Sequence, residues 1–213
     1  MPVVDPFEEH TDRYERWFES HGAAYESELA AVRDALPAVA PDAAVEIGVG
    51  SGQFAAPLDI GLGVDSSAAM LARARDRGVA AIQGVAEAVP LRDDSVSAVL
   101  LVTTICFVDD VARTLNEARR VLAPGGTLVI GFVARESPLG ERYREQRDAN
   151  PFYRDATFVA VPNLLDAMGR AGFENRVAVQ TLFGDPASMD EPDPVESGWG
   201  DGSFVVVSGR VPD

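Results

Sequence analysis

The chain reads as an α/β fold, a doubly wound and mostly parallel sheet of seven strands. Three observations predict it. A short apolar strand at 43–47 runs straight into glycines at alternate positions, Gly48, Gly50 and Gly52. Strand-like and helix-like segments then alternate as far as residue 133. Two further β-rich segments, Asn175–Leu182 and Ser203–Arg210, flank a loop near the end.

The elements follow in order. Tyr14, Trp17, Phe18 and His21 recur at helical spacing, as do Tyr25, Leu29, Val32 and Leu36, so residues 1–36 form two helices parted at Gly22 and stopped by Pro37. They precede the repeating α/β unit, so they cover something, and the ligand cleft is the candidate. Ala43–Ile47 is the first strand and Ile60–Val64 the second, with a helix on either side of the second. Ser66 or Ser67 caps the helix after Asp65, and Gly78 ends it. Val79–Gly84 is strand three. Ala98–Thr104, almost wholly apolar and β-branched, is a central strand buried on both faces. A helix opens at Asp109 or Asp110, buries Val111, Leu115, Ala118 and Leu122, and closes at Pro124-Gly-Gly126 before strand five, Thr127–Val133. A charged stretch, 135–155, leads to a helix at Val161–Ala171. Right-handed crossovers bring the carboxyl ends of the parallel strands to one face, where ligands bind. The glycine loop, Asp65, Val85–Glu87 and Thr103–Phe107 all fall there. If strand six is parallel to the rest, the Pro-, Gly- and acid-rich loop 183–202 opens on that face too.

The glycine loop argues for a nucleotide-like cofactor. Alternate glycines let a backbone lie against a flat or bulky group that a Cβ would hold away. Asp65, 17 residues after Gly48, ends the second strand where an acid can hold ribose hydroxyls. A dinucleotide loop would be G-x-G-x-x-G, with its third glycine at a helix end facing a pyrophosphate; here that position is Gln53. Glu46-Ile-Gly-Val-Gly-Ser-Gly52 resembles instead the first motif of class I S-adenosylmethionine-dependent methyltransferases. The resemblance covers 43–133 and extends to the seven-strand ending. It is to the small-molecule branch that includes ubiquinone and menaquinone biosynthesis methylases. It implies a Rossmann-like fold with an antiparallel last strand, 1–213 as a single methyltransferase domain, 1–36 as a helical lid, 43–133 as the cofactor-binding core, and 134–160 and 183–202 as substrate-side insertions. Gly63-Val-Asp65 looks like the ribose motif, Gly84-Val-Ala-Glu-Ala-Val-Pro-Leu91 like the adenine-edge motif, and Glu117–Gly126 like the helix and turn before strand five. The cofactor contacts implied are Glu46, Gly48, Gly50, Gly52, Asp65, Ser66, Met70, Ala86, Glu87 and Thr103. Two departures stand out. Valine at 85 replaces an acid that often meets the adenine amine, and Cys106-Phe107 stand where the family often has histidines. Cys106 reads as a small buried hydrophobe rather than a nucleophile.

The remaining composition narrows the partners. The 34 acids against 18 bases give a formal charge of −16, and every base is an arginine. Such a field repels nucleic acid and anionic membranes. It reads either as adaptation to salt or as a surface for a cationic partner. One cysteine and two histidines give no metal site. With no membrane-length apolar run and an acidic start, the chain is expected to be cytoplasmic. The expected activity is methyl transfer to a small-molecule acceptor by in-line displacement, which needs alignment and enclosure more than a covalent group. A non-catalytic cofactor-binding protein and a nicotinamide-dependent oxidoreductase are the alternatives. On the acceptor side the candidates are Tyr14, Trp17, Cys106, Phe107 and Trp199, with further aromatics at 143, 152 and 153. Six acids in loop 183–202 beside these rings suit an amine. His10, His21 or one of those acids would take the proton.

Overall fold

The structure, a computed structural model, describes residues 5–213. The first four residues of the expected helical lid lie outside the described residues. One eight-stranded sheet organises the chain, with strands β1 (Ala44–Ile47), β2 (Leu62–Asp65), β3 (Ala80–Gln83), β4 (Val96–Val102), β5 (Leu122–Val133), β6 (Glu174–Thr181), β7 (Glu196–Ser197) and β8 (Phe204–Arg210). Their order is β3-β2-β1-β4-β5-β8-β6-β7. The first five are mutually parallel. β8 lies antiparallel between β5 and β6, so β6 points the same way as the first five. The strand beyond the expected seven is the two-residue β7, which loop 183–202 lays along the edge of β6.

Alternation along the strands divides the core. Val45, Val99, Leu101, Leu128, Ile130, Val205 and Val207 face one layer, with Leu115 and Val121 of α5 (Val111–Val121) and Leu164 and Met168 of α7 (Val161–Arg170). Ala44, Ala98, Leu100, Val129, Phe204 and Val206 face the other, with Ala31 and Val32 of α3 (Gly22–Ala35) and Leu71 and Ala74 of α4 (Ala68–Asp76). Both faces are covered, as the continuous apolar run of β4 requires. The sequence order reverses beside β1, between β2 and β4, which puts the ligand crevice at the carboxyl end of β1.

Four expectations need correction. No α-helix joins β1 to β2. Residues 51–59 make isolated helical-type bonds, Ala56 to Gly52 and Leu58 to Phe54, but Pro57 has no N–H to continue the ladder. α5 ends at Val121, and Leu122 opens β5 instead, paired with Val96. The break between the first two long helices falls at His21, which ends α2 (Thr11–Ser20) and precedes α3. The buried face of α3 is also rotated from the expected stripe. Its buried residues are Ala24, Ser27, Glu28, Ala31 and Val32, while Tyr25, Leu29 and Leu36 are only partly buried. A short helix α1 (Asp5–Glu9) precedes α2, and α6 (Pro138–Glu145) lies in the charged stretch. Ser67 and Asp110 are the caps: Ser67 Oγ accepts from the Met70 N–H at 3.1 Å, and the Asp110 carboxylate from the Arg113 N–H at 3.0 Å.

Candidate active site

A cavity of about 310 Å³ opens at the carboxyl ends of β1, β2 and β4. Its floor is the glycine loop. The three glycines serve three different contacts. A Cβ on Gly48 would lie 2.1 Å from Thr104 Oγ1, so this glycine seats the loop against the end of β4. A Cβ on Gly52 would touch Ala74 of α4 at 3.3 Å. Gly50 is the least crowded of the three: the first atom its Cβ would meet is Tyr14 Oη, an ordinary contact at 3.5 Å. Gly48 and Gly50 line the cavity, whereas Gly52 packs behind it.

Asp65 locks this loop to the next. One carboxylate oxygen accepts the Gly50 N–H at 2.8 Å and the other the Ser67 N–H at 2.9 Å. Each oxygen can accept a further hydrogen bond. Burial raises the Asp65 pKa, against the lowering pull of these amides. Ser66 and Met70 line the same wall. Glu46 does not reach the cavity; it is 1% exposed, beneath the loop. One of its oxygens has no partner, and desolvation holds its pKa well above the carboxylate range.

The segment after β3 lines the cavity with Gly84, Val85, Ala86 and Glu87. Glu87 is largely committed elsewhere. Its Oε1 accepts the Asp109 and Asp110 N–H groups at 2.7 and 3.2 Å, and its carbonyl accepts from Arg113. Those bonds fix the start of α5, which leaves the backbone of Val85–Ala86 as the edge facing a ligand. At the end of β4, Thr103 has φ +50, an unusual conformation for a β-branched residue, held by its N–H bond to Gly131 at 2.7 Å. Thr103, Cys106 and Phe107 all line the cavity. Desolvation pushes the Cys106 thiol up to about 12, so it is a thiol and not a nucleophilic thiolate at neutral pH.

The far half is aromatic. Phe7 of α1, Trp17 and Phe18 of α2, Tyr143 of α6, and Phe152, Tyr153 and Phe158 of the following segment line it, and Tyr14 of α2 reaches across to the Gly50 backbone. Phe7 meets Phe107 edge-on at 5.1 Å, and Tyr143 stacks on Tyr153 at 4.2 Å. Polar contacts tie α1 and α2 to α4. Glu8 accepts from Ser67 Oγ and the Ala69 N–H, Asp12 pairs with Arg73, and Glu15 with Arg77. Burial, then the nearby Glu46 and Asp65 carboxylates, raise the Tyr14 phenol far above its usual range.

Sequence reasoning missed one cavity residue of consequence. Glu28, on α3, is 4% exposed yet lines the cavity. The signal was available: an acid three residues after Tyr25 and four before Val32 sits inside a helical stripe. The expected acceptor-side acids are placed elsewhere. Trp199 is 48% exposed and, with the whole of 183–202, contributes nothing to the cavity wall. That loop does open on the ligand face, but Asp185 pairs with Arg142, and Asp193 accepts the Phe183 N–H. Neither histidine lines the cavity; His21 stacks on Trp17, and its Nδ1 donates to the Trp17 carbonyl oxygen at 2.9 Å. Among the described residues no cluster of His, Cys, Asp and Glu could hold a metal, and no helix is long and apolar enough to cross a membrane.

The geometry fits an adenosine-bearing sulfonium better than a dinucleotide. Gly50 offers a cradle without a side chain, Asp65 an acceptor pair, and no α-helix follows directly from the loop, where a dinucleotide fold would set one against a pyrophosphate. The acids at the wall are Asp65, Glu87 and Glu28, against the single base Arg13. Comparison with known proteins agrees. Residues 45–130 match the family model described as a methyltransferase domain. A Thermotoga maritima S-adenosylmethionine-dependent methyltransferase, described as a possible histamine N-methyltransferase, superposes with a TM-score of 0.93 at 48% identity, covering 96% of this chain and 97% of the other. An uncharacterised Methanocaldococcus jannaschii protein is 34% identical over 96% of this chain and 98% of its own length. A ubiquinone/menaquinone biosynthesis C-methyltransferase of Acidiphilium cryptum is 33% identical over 60% of this chain and 56% of its own. The chain therefore belongs to the S-adenosylmethionine-dependent methyltransferases.

Proposed function

We propose that the protein methylates a small-molecule acceptor held in the aromatic half of the cavity, by in-line displacement from S-adenosylmethionine held in the other half. The observation that carries this reading is the continuity of one cavity across both halves. Gly50, Asp65, Ser66, Met70 and the Val85–Ala86 backbone line one end, and the rings from α1, α2 and 143–158 line the other. In this reading 43–133 is the cofactor core, the described part of 1–36 a lid, and 134–160 the acceptor-side insertion of one working unit.

The cofactor supplies a methyl group made electrophilic by a positively charged sulfur. Asp65 would hold its ribose hydroxyls, Met70 would pack on its base, and the Val85–Ala86 backbone would meet the base edge. The rings exclude water and orient the acceptor, which is where much of the rate of a displacement arises. No histidine or thiolate in the cavity offers covalent catalysis. Incubation of the full chain with S-adenosylmethionine and a fractionated metabolite pool tests the reading. S-adenosylhomocysteine should accumulate only with fractions of low molecular mass. Tight cofactor binding without turnover on any fraction would contradict it.

A further inference from the structure

We infer that Glu28 receives the acceptor: its carboxylate binds a small cationic amine inside the aromatic half of the cavity and takes the proton that frees the nitrogen for methylation. This rests on the small-molecule reading above and names the acceptor class for that same site.

Glu28 is an acid in the wrong place for the fold. It stands on the buried face of α3 among Ala24, Ser27, Ala31 and Val32. Neither oxygen has a hydrogen bond or ion pair among the described residues. Burying an unpaired carboxylate is costly, and the cost is removed when a ligand brings the partner. The surroundings fit a cation. Trp17, Phe18, Tyr143, Tyr153 and Phe158 share the cavity wall with Glu28, and aromatic faces attract ammonium groups.

Among the described residues no base is placed to supply the positive charge. Arg13, the one base at the wall, lies over the Phe152 ring at 5.8 Å, and Arg142 is turned to Asp185. The titratable groups around Glu28 are the Tyr14 and Tyr25 phenols, the stacked Tyr143 and Tyr153 phenols, and the buried Glu46. All are neutral or acidic. Desolvation alone raises the Glu28 pKa to about 8, so without a ligand it holds its proton at neutral pH.

The chemistry balances. An amine arrives as ammonium, and its N–H proton passes to the Glu28 carboxylate. The freed lone pair forms the N–CH3 bond as the sulfonium C–S bond breaks, with that electron pair staying on sulfur as a thioether. The product is an N-methylammonium ion, and the proton on Glu28 returns to solvent.

Proton-linked calorimetry tests the assignment. Histamine, 2-phenylethylamine and the neutral 2-phenylethanol are titrated into the full chain saturated with S-adenosylhomocysteine, from about pH 6 to 9. The wild type should bind at least one of the amines with release of close to one proton at pH 7. Its affinity should rise nearly tenfold per pH unit and level off near pH 8, because the free carboxyl must ionise to meet the ammonium. Glu28→Gln should bind that amine at least about tenfold more weakly, the value of a charge-assisted hydrogen bond, with no proton release. Binding of 2-phenylethanol should be equal in the two proteins. Unchanged amine affinity in Glu28→Gln, or 2-phenylethanol binding the wild type as well as the amines, overturns the assignment. Turnover confined to phenols or carboxylic acids also overturns it while leaving methyl transfer intact. Absence of turnover on every acceptor class removes the functional reading itself.

Discussion

The two halves of the cavity are built in opposite ways. The half proposed for the cofactor comes from four short segments, each directly after a strand, and it presents largely backbone: the glycine loop, the Asp65–Ser67 turn, Val85–Ala86 and Thr103. The half proposed for the acceptor is made of side chains from α1, α2, α3, α6 and residues 150–158, which share no strand and no local motif. On the proposed reading, the difference lets one fold keep a fixed cofactor and change its acceptor. Strand ends locked by hydrogen bonds resist change, whereas rings on helices outside the sheet can be replaced one at a time.

The largest expected effect lies in the cofactor half. Gly48→Val forces a side chain onto Thr104 at a φ of +74. It should destabilise the fold by about 3 kcal/mol or more, read as a drop in the midpoint of denaturant unfolding. Gly50→Ala, with 3.5 Å to Tyr14 and a φ of +52, should cost only about 1 kcal/mol of stability and act mainly on cofactor affinity. Equal losses of stability would erase the distinction between a packing glycine and a cradle glycine. Next comes Asp65→Ala, which removes the tie to the Gly50 and Ser67 amides and, with it, the acceptors proposed for the ribose hydroxyls. S-adenosylhomocysteine binding should weaken by about 2 to 3 kcal/mol in calorimetry.

The acceptor half should show itself through pH. Glu28 keeps its proton in the folded chain to about 8 but ionises near the ordinary carboxylate value when unfolded. The folded state therefore binds more protons between those values, and stability falls as pH rises through that window. Glu28→Gln should match the wild type near pH 4.5 and gain at most about 1.4 kcal/mol per pH unit above it, levelling off past pH 8. Thermal melts of both proteins across that range check the slope; parallel profiles would place Glu28 in water. The smallest effect belongs to the exposed loop. Asp190→Asn and Glu191→Gln, outside the cavity wall, should leave acceptor affinity within about twofold.

The same contrast governs what could be read in advance. The glycine loop, Asp65 and β4 were legible because their chemistry is contiguous and the sheet places strand ends by rule. Glu28 was passed over, although its spacing from Tyr25 and Val32 put it within the stripe's arc, because the face α3 buries is rotated from the stripe read from Tyr25, Leu29, Val32 and Leu36. A stripe defines a broad arc, and only tertiary packing selects the residue at its centre. Loop 183–202 misled for a related reason. The direction of β6 sends it to the ligand face, as expected, but β7 pairing and the Arg142–Asp185 bridge hold its acids away from the cavity. Glu46, adjacent to the glycines in sequence, points under the loop rather than into the cleft.

The central claim is that this cavity moves a methyl group onto a small molecule. Incubating the full chain with methyl-labelled S-adenosylmethionine and an unfractionated extract, then separating products by ultrafiltration, tests it most directly. The label should pass the membrane with a low-molecular-mass product and disappear from it when Asp65→Ala replaces the wild type. Label retained on protein or nucleic acid would contradict the account.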